Sequence, residues 1–400
     1  MRVLLVTTVY PPVIGGPSLQ TQQIARGLLR RGIEAHVVAF GPADAEETEE
    51  GGVTVTRLDP WRNPVPGAVG RAGHQYRRML GVLDRVRPDV VHVQVLGPFG
   101  LATGLACRRR GIPAVLKYSD DLVWTKLNRG RTVAHPYSAA LFRASLKGRW
   151  FTALQGGMLR VFQRIWATSP FLEGQLREIF RLPASRVFGF PNLVEVERFE
   201  RIPAARERAP GTPLRVLTAS RLSPWKGVET AIRAFARLDP GVAQLRIVGS
   251  GPPHMDRYLA ALVAELGVED RVTMAGAIPP GEIVREYAEA DLFLLPTEYE
   301  PFGIVFVEAM AAALPVLSTR VGGVPSIVPD GEAGVLLEPR DVEGFARAVA
   351  GLAADPERRA RMGAAGRERA RRAYALEERL DELVALYGEM LREAGRAVPR

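Results

Sequence analysis

Leu214-Arg215-Val216-Leu217-Thr218-Ala219-Ser220-Arg221-Leu222-Ser223-Pro224-Trp225-Lys226-Gly227 decides how this chain is organised. It opens as an apolar, strand-like run, turns into a loop carrying two cations and a proline, and leads into a helical pattern from Gly227. The same order stands at the N-terminus. Residues 2–8 are leucine-rich and β-branched, a Pro/Gly loop follows, and residues 18–31 read as a helix. Between the two starts lie strand-like runs at 34–40, 53–58, 89–95, 113–117, 164–168 and 186–190. A helical pattern covers 68–87, and a second helix separates the strands at 89–95 and 113–117. The rhythm pauses over 195–211, which is charged, contains proline and lacks apolar periodicity; that composition predicts a linker. Beyond Gly227 come strands at 245–248, 272–275, 292–295 and 315–318, with helices near 254–266 and from Gly303. Residues 341–400 read as helical throughout, with Leu380, Leu383, Leu386 and Leu391 at helical spacing.

Buried strands alternating with helices imply parallel sheets covered on both faces. The reading is therefore two doubly wound α/β domains, 1–195 and 196–375, with a final helix, 376–400, packing back on the first. Ligands of such sheets sit beyond the carboxyl ends of the strands, so the chemistry belongs in the loops that follow them.

Bulk composition narrows the classes. A chain of 400 residues is too long for one ordinary core. No apolar run approaches the roughly 20 residues that span a bilayer; the longest, 303–318, is broken by Glu308. The N-terminal MRVLLVTTVYPP lacks a small-residue cleavage site and reads as a first strand, not a signal peptide. A single cysteine, Cys107, excludes an internal disulfide framework and a cysteine-based metal cluster, which favours a cytoplasmic address. The net charge of +9 is concentrated: residues 104–190 hold 15 Lys and Arg against 4 Asp and Glu. Such a patch suits anionic lipid, phosphorylated substrates or nucleic acid, and equally a solvated surface. No nucleic-acid-binding module accompanies it, so no nucleic-acid partner is expected.

The strongest chemical signal is Glu300-Pro301-Phe302-Gly303-Ile304-Val305-Phe306-Val307-Glu308. Pro301 and Gly303 mark a loop running into a helix, whose N-terminus offers free amides and a partial positive charge to a phosphate. Carboxylates cannot bind phosphate, so Glu300 and Glu308 point instead to sugar hydroxyls. Glu308 sits in an apolar run, which predicts burial and a need for partners. The second signal is Arg221 and Lys226, two cations at a helix start that can both reach a diphosphate, Arg as a planar fork and Lys as a point charge. The third is the Pro11-Pro12-Val13-Ile14-Gly15-Gly16-Pro17 loop, where glycines permit close backbone approach. No D-x-D metal-binding pattern occurs, so no metal and no cofactor is expected.

These motifs resemble those of the retaining glycosyltransferases of family 4, whose signature is E-x7-E and whose fold, GT-B, places two Rossmann-like domains about a central cleft. The resemblance runs over most of the chain and is densest from about 214 to 337. It implies a nucleotide-sugar donor, UDP-, GDP- or ADP-linked, with Glu308 on the ribose and Glu300 on the transferred sugar. Arg221 and Lys226 resemble the R-L-x-x-x-K-G element and would meet the diphosphate. Gly15 and Gly16 are similar to the N-terminal glycine loop that approaches the donor phosphates, and Gly249 lies in a turn resembling V-G-x-G-P. Ala277 and Ile278 would border the base, and Phe302, Gly303 and Ile304 complete the donor-binding loop. Pro191-Asn192 resembles the P-N that closes the N-terminal domain. Many members carry a histidine after the strand at 113–117; here stands Lys117-Tyr118-Ser119-Asp120-Asp121-Leu122-Val123-Trp124, similar to a K-x-x-G-D-x-x-W subgroup pattern. Asp121 is then the candidate polar contact to the sugar, whereas His92 reads as structural. Ser326 stands where many members have Glu.

By resemblance the chain is a metal-independent hexosyltransferase acting on a lipid-linked or glycan acceptor held by the N-terminal domain. Within 137–166 basic residues such as Arg143, Lys147 and Arg149 alternate with Leu146, Trp150 and Phe151, which suits a peripheral enzyme on an anionic membrane surface. The altered positions Ser119 and Ser326 keep open a non-catalytic, sugar-nucleotide-binding partner subunit.

Overall fold

The computed structural model describes residues 1–13, 15–48, 51–60, 68–119, 143–203, 211–279 and 281–399. The internal contacts of these residues separate two units: one takes in the described residues up to Leu193 together with those from Leu376 onward, the other the described residues of Val194–Ala375.

The N-terminal unit holds β1 (Arg2–Val6), β2 (Glu34–Phe40), β3 (Ala45–Thr48), β4 (Thr54–Leu58), β5 (Val90–Val93), β6 (Ala114–Tyr118), β7 (Arg164–Ala167) and β8 (Val187–Gly189). They form one sheet in the order β3-β4-β2-β1-β5-β6-β7-β8. Only β3 runs antiparallel to its neighbour. The described helices are α1 (Gly16–Arg30), α2 (Ala68–Val86), α3 (Pro98–Arg110), α4 (Leu146–Leu159) and α5 (Pro170–Glu178).

The second unit repeats the plan with β9 (Leu214–Ala219), β10 (Ala243–Val248), β11 (Val272–Gly276), β12 (Leu292–Leu295), β13 (Val316–Thr319) and β14 (Gly334–Leu337), all parallel, in the order β11-β10-β9-β12-β13-β14. Its helices are α6 (Glu197–Glu200), α7 (Val228–Phe235), α8 (Pro253–Glu265), α9 (Ile283–Glu289), α10 (Ile304–Ala311), α11 (Val324–Ile327), α12 (Val342–Ala354) and α13 (Pro356–Tyr374). All four residues of β12, Leu-Phe-Leu-Leu, are buried, as a strand covered on both faces requires.

The last helix, α14 (Leu376–Glu393), belongs to the N-terminal unit. Leu376, Leu380, Leu383, Tyr387, Met390 and Leu391 share one buried cluster with Val3 and Leu5 of β1 and Ile24 and Leu28 of α1. Burying side chains of this size stabilises by roughly 1.5–3 kcal/mol each, which fixes the helix on that sheet. Gly27 makes the approach possible, because any Cβ there would run into the Leu380 side chain. Arg31 pairs with Glu377 (2.7 Å) and Asp381 (2.7 Å) at the rim. Exposed pairs of this kind orient more than they stabilise.

Two sequence expectations need correction. The stretch expected as a linker, 195–211, begins inside the second unit: Val196, Phe199 and Ile202 are buried in its core, and α6 forms there. The C-terminal region, expected as helical over 341–400, is three helices, α12, α13 and α14, and the helical part ends before Arg400. Asp355 caps α13, its side chain accepting from the Arg358 amide, and the chain turns again at Ala375 before α14, which stops at Glu393.

Candidate active site

The winding of the second sheet reverses at β9, whose neighbours are β10 and β12. Loops leaving the carboxyl ends of β9 and β12 therefore flank the crevice where doubly wound sheets take ligands. The first loop carries Arg221 and, on a 3-10 turn Pro224–Lys226, Lys226. The second carries Glu298 and Glu300. Backbone bonds hold the two loops together. The Glu298 amide donates to the Trp225 carbonyl (2.7 Å), and the Thr297 hydroxyl donates to the same oxygen (3.0 Å). Gly227 ends the turn with φ 68, and a Cβ there would collide with the Pro296 carbonyl, so only glycine fits. The outcome is an ion pair: Lys226 Nζ donates to Glu300 Oε2 at 2.5 Å. Glu300 is 7% exposed, and its carbonyl accepts from the Gly323 amide (2.8 Å). Arg221 is exposed and makes no hydrogen bond or ion pair among the described residues.

Beyond Glu300 the chain turns through Gly303, φ 96, into α10, whose first turn has no side-chain cap. Its uncapped amides favour an anion. Glu308, on the same helix, accepts from the Tyr287 hydroxyl of α9 at 2.9 Å. Burial pushes the Glu308 carboxyl above the ordinary carboxylate range, and the Tyr287 bond pulls partly against it. Burial, and then the Glu308 charge, hold Tyr287 well above the usual phenol range.

The remaining expected donor contacts scatter around the same sheet edge. Gly249, φ 128, packs so tightly on the Ser220 carbonyl that a Cβ would collide with it, which fixes the loop after β10 against the loop after β9. Ala277 and Ile278 follow β11, the first exposed and the second half-buried. Ile304 is half-buried on α10. Phe302 is 3% exposed with its ring edge-on to Tyr374, so its side chain serves the core and only its backbone can face a ligand. Ser326 spends its hydroxyl on its own turn, donating to the Gly323 carbonyl (2.6 Å).

Gly15 and Gly16 lie in the N-terminal unit at the start of α1, where the Ser18 hydroxyl donates to the Val13 carbonyl (2.6 Å) and closes the loop. Ile14, Asp120 and Asp121 lie outside the described residues, so the expected sugar contact Asp121 has no structural account. His92 is wholly buried, with Nδ1 at 2.6 Å from the Tyr387 hydroxyl and Nε2 facing Gln94. Burial, and then the Lys117 charge, hold its pKa well below the ordinary histidine value. Lys117 itself is 4% exposed beside Gln20 of α1. Sequence reading missed Tyr287, Gln20 and Thr297. Tyr287 carried a faint signal, an aromatic hydroxyl in an otherwise ordinary helical stretch; the other two carried none. Among the described residues no three His, Cys, Asp or Glu side chains converge as a metal site would require.

Two α/β units with mostly parallel sheets, one presenting a cation, a buried carboxylate and an uncapped helix at its switch point, define a protein of the GT-B fold class. Comparison with known proteins supplies the family. Residues 14–198 match the model for Glycosyltransferase Family 4, and residues 201–369 match that for Glycosyl transferases group 1. The chain belongs to the family 4 type of glycosyltransferases. It is 27% identical to an uncharacterized glycosyltransferase of Methanocaldococcus jannaschii, over 87% of this chain and 88% of that one. It is 37% identical to a GDP-mannose-dependent alpha-(1-6)-phosphatidylinositol monomannoside mannosyltransferase of Mycolicibacterium smegmatis, over 46% of this chain and 52% of that one. Among solved structures, sucrose-phosphate synthase from Thermosynechococcus elongatus superposes with a TM-score of 0.81 at 22% identity, covering 98% of this chain and 99% of that one. Anabaena HepE in complex with UDP and glucose gives 0.75 at 19% identity, covering 96% and 99%.

Proposed function

We propose that this protein moves a hexose, with retention of anomeric configuration, from a nucleoside-diphosphate sugar to a hydroxyl of a lipid-linked or glycan acceptor. The observation that carries the reading is the Lys226–Glu300 contact beside the uncapped start of α10. There Arg221 and Lys226 neutralise the charge that gathers on the departing diphosphate, and such electrostatic stabilisation dominates this kind of catalysis. Glu308 accepts from the ribose hydroxyls, and Glu300 accepts from the sugar. The acceptor oxygen bonds to the anomeric carbon on the face the nucleotide leaves, the bond from that carbon to the phosphate oxygen breaks, and the acceptor proton passes to that oxygen. The step uses no protein base and no metal ion, because the two cations themselves stabilise the leaving charge. Asp121 is assigned to the sugar on its motif alone. Relatives support the donor class: one is named as GDP-mannose-dependent, and HepE is seen with UDP-glucose.

The acceptor side is read from α4 and its surroundings. No acidic residue stands between Asp121 and Glu173, a stretch holding eight Lys and Arg, five of them from Arg143 to Arg164. On α4, Leu146, Trp150 and Leu154 recur every fourth residue and are 85%, 67% and 45% exposed. Lys147, Arg149 and Arg160 are exposed along the same helix. An apolar stripe with basic flanks suits a lipid surface with anionic headgroups. The enzyme then works as a peripheral protein on the cytoplasmic face of a membrane, and a relative named for a phosphatidylinositol-linked acceptor fits that reading. Among the described residues no helix is long and apolar enough to cross a membrane.

The test is a thermal-shift series with UDP, GDP and ADP, followed by sugar release from the matching nucleotide sugar. A ligand at a hundred times its Kd adds about 2.7 kcal/mol to the native state. One nucleotide should stand out, its sugar should be released, and Lys226→Ala should slow release by about 10²–10³-fold. A wild-type protein that no nucleotide stabilises sinks the proposal.

A further inference from the structure

Arg340 stands where side chains rarely go. Its φ is 66, in the left-handed region where a Cβ crowds the backbone and glycine is at ease. It follows β14 at the sheet edge that carries the candidate site. Its guanidinium donates twice to one carboxylate: Nε to Glu298 Oε1 at 2.9 Å and Nη2 to Glu298 Oε2 at 2.7 Å. That is the bidentate geometry which is both the strongest and the most directional form of ion pair. Glu298 is 8% exposed, so its charge lies in a place where an unpaired carboxylate is costly. It is also two residues from Glu300, and its amide is bonded to the carbonyl of Trp225, next to Lys226.

Segment 297–300 is thus fastened from three sides. Thr297 and Glu298 are tied to Trp225 on the β9 loop, the Glu300 carbonyl is tied to Gly323 on the β13 loop, and Glu298 is tied to Arg340 beyond β14. Of these three ties, only Glu298–Arg340 depends on a charged side chain at each end. It also neutralises a second, nearly buried carboxylate two residues from Glu300. A glycine at 340 would relax the backbone and lose both effects.

Resting on the reading of Glu300 as the sugar contact, we propose that Arg340 and Glu298 are a positioning pair, which holds segment 297–300 so that Glu300 stays at Lys226. The strained backbone at Arg340 is kept for the side chain that completes the pair.

The test uses the full chain and the double variant Glu298→Gln/Arg340→Gly, which removes the pair without leaving a buried charge or a strained residue. Its thermal midpoint should match or exceed the wild type. Its kcat should fall by about ten- to a hundredfold, the cost of a small misplacement of a reacting group, while affinity for the nucleoside diphosphate alone stays within about twofold. Amide exchange at 298–300 should accelerate at the same time. Wild-type exchange at those amides together with wild-type kcat overturns the proposal. A wild-type protein that transfers no sugar sinks the functional reading instead, and the exchange measurement still decides whether the pair holds the segment.

Discussion

Lys117 makes the stability of the N-terminal unit depend on pH in a direction that can be worked out. Its Nζ is 3.3 Å from Gln20 Oε1 and 4.8 Å from the centre of the Trp166 ring, and no carboxylate pairs with it among the described residues. Burial pulls the amine from 10.5 to about 7. An unfolded lysine titrates near 10.4. Between about 7 and that value the unfolded chain holds a proton that the folded chain does not. Stability therefore rises with pH across the window, is regained in full above the unfolded pKa, and is flat in this group below about 7. One proton is worth about 1.4 kcal/mol per pH unit, so the wild type should gain about 3 kcal/mol from this residue between roughly pH 7.5 and 10. Lys117→Met keeps the length and apolar body of the side chain and loses the proton. The assay is urea unfolding of both proteins across that range, fitted for the transition of the N-terminal unit. The quantity to read is the difference between the two stabilities, in which distant titrating groups cancel. Parallel curves, with a difference independent of pH, would refute the reasoning, because they would mean the buried amine stays charged and is compensated.

Glu308 should set the pH dependence of nucleotide binding on the other unit. Its carboxyl is raised by burial, and only the ionised form accepts strongly at both oxygens from ribose hydroxyls, so affinity should fall as pH drops through a range above that of ordinary carboxylates. Glu308→Gln should bind weakly and lose that dependence; an unchanged profile in titration calorimetry would remove Glu308 from the site. For the membrane surface, Leu146→Ser/Trp150→Ser should abolish sedimentation with vesicles containing phosphatidylglycerol, while zwitterionic vesicles should fail to sediment the wild type at moderate salt. Failure of the wild type to bind anionic vesicles even at low salt would leave the exposed stripe on α4 without that partner.

Much of the fold was legible because its central strands are buried on both faces. Leu-Phe-Leu-Leu in β12 can hardly be anything else when turn residues bound it, and β9 follows the same rule. Two of the four edge strands, β3 and β14, were not read. β3 is Ala-Glu-Glu-Thr with every residue exposed, so it has no buried face to write a pattern into the sequence. In 195–211, Val196, Phe199 and Ile202 are too few to show a period against their charged neighbours, yet they anchor the second unit. The break at Asp355-Pro356 was in principle readable, since a capping aspartate before a proline is a helix start, but it lay inside a long alanine- and arginine-rich run. Around the candidate site, residues on short motifs can be named from the sequence, whereas those that pack or bond against them cannot. Tyr287 meets Glu308 across 21 positions and Arg340 meets Glu298 across 42. Neither spacing means anything until strand order brings the loops together.

The Lys226–Glu300 contact has a consequence opposite to the usual effect of mutating a binding site. At 2.5 Å the ammonium is paired with the carboxylate of Glu300, a nearly buried residue whose backbone carbonyl accepts from the Gly323 amide. A diphosphate draws on the same ammonium, and each carboxylate lone pair that Lys226 then leaves is open to a donating sugar hydroxyl while Glu300 stays in place. Transfer of Lys226 to the phosphates would then release Glu300 for the sugar, so the two halves of the donor assist each other through one ion pair. Removing the carboxylate should free the lysine. Glu300→Gln is expected to bind the nucleoside diphosphate as tightly as the wild type or tighter, by up to about fivefold, given that a partly exposed pair is worth about 1 kcal/mol. The same variant should bind the intact nucleotide sugar no better than the diphosphate and should transfer poorly. Lys226→Met should weaken both ligands alike. Titration calorimetry of the two variants with both ligands makes the comparison, and a Glu300→Gln protein that loses diphosphate affinity tenfold would show that Glu300 holds Lys226 in place for the phosphate and does not compete for it.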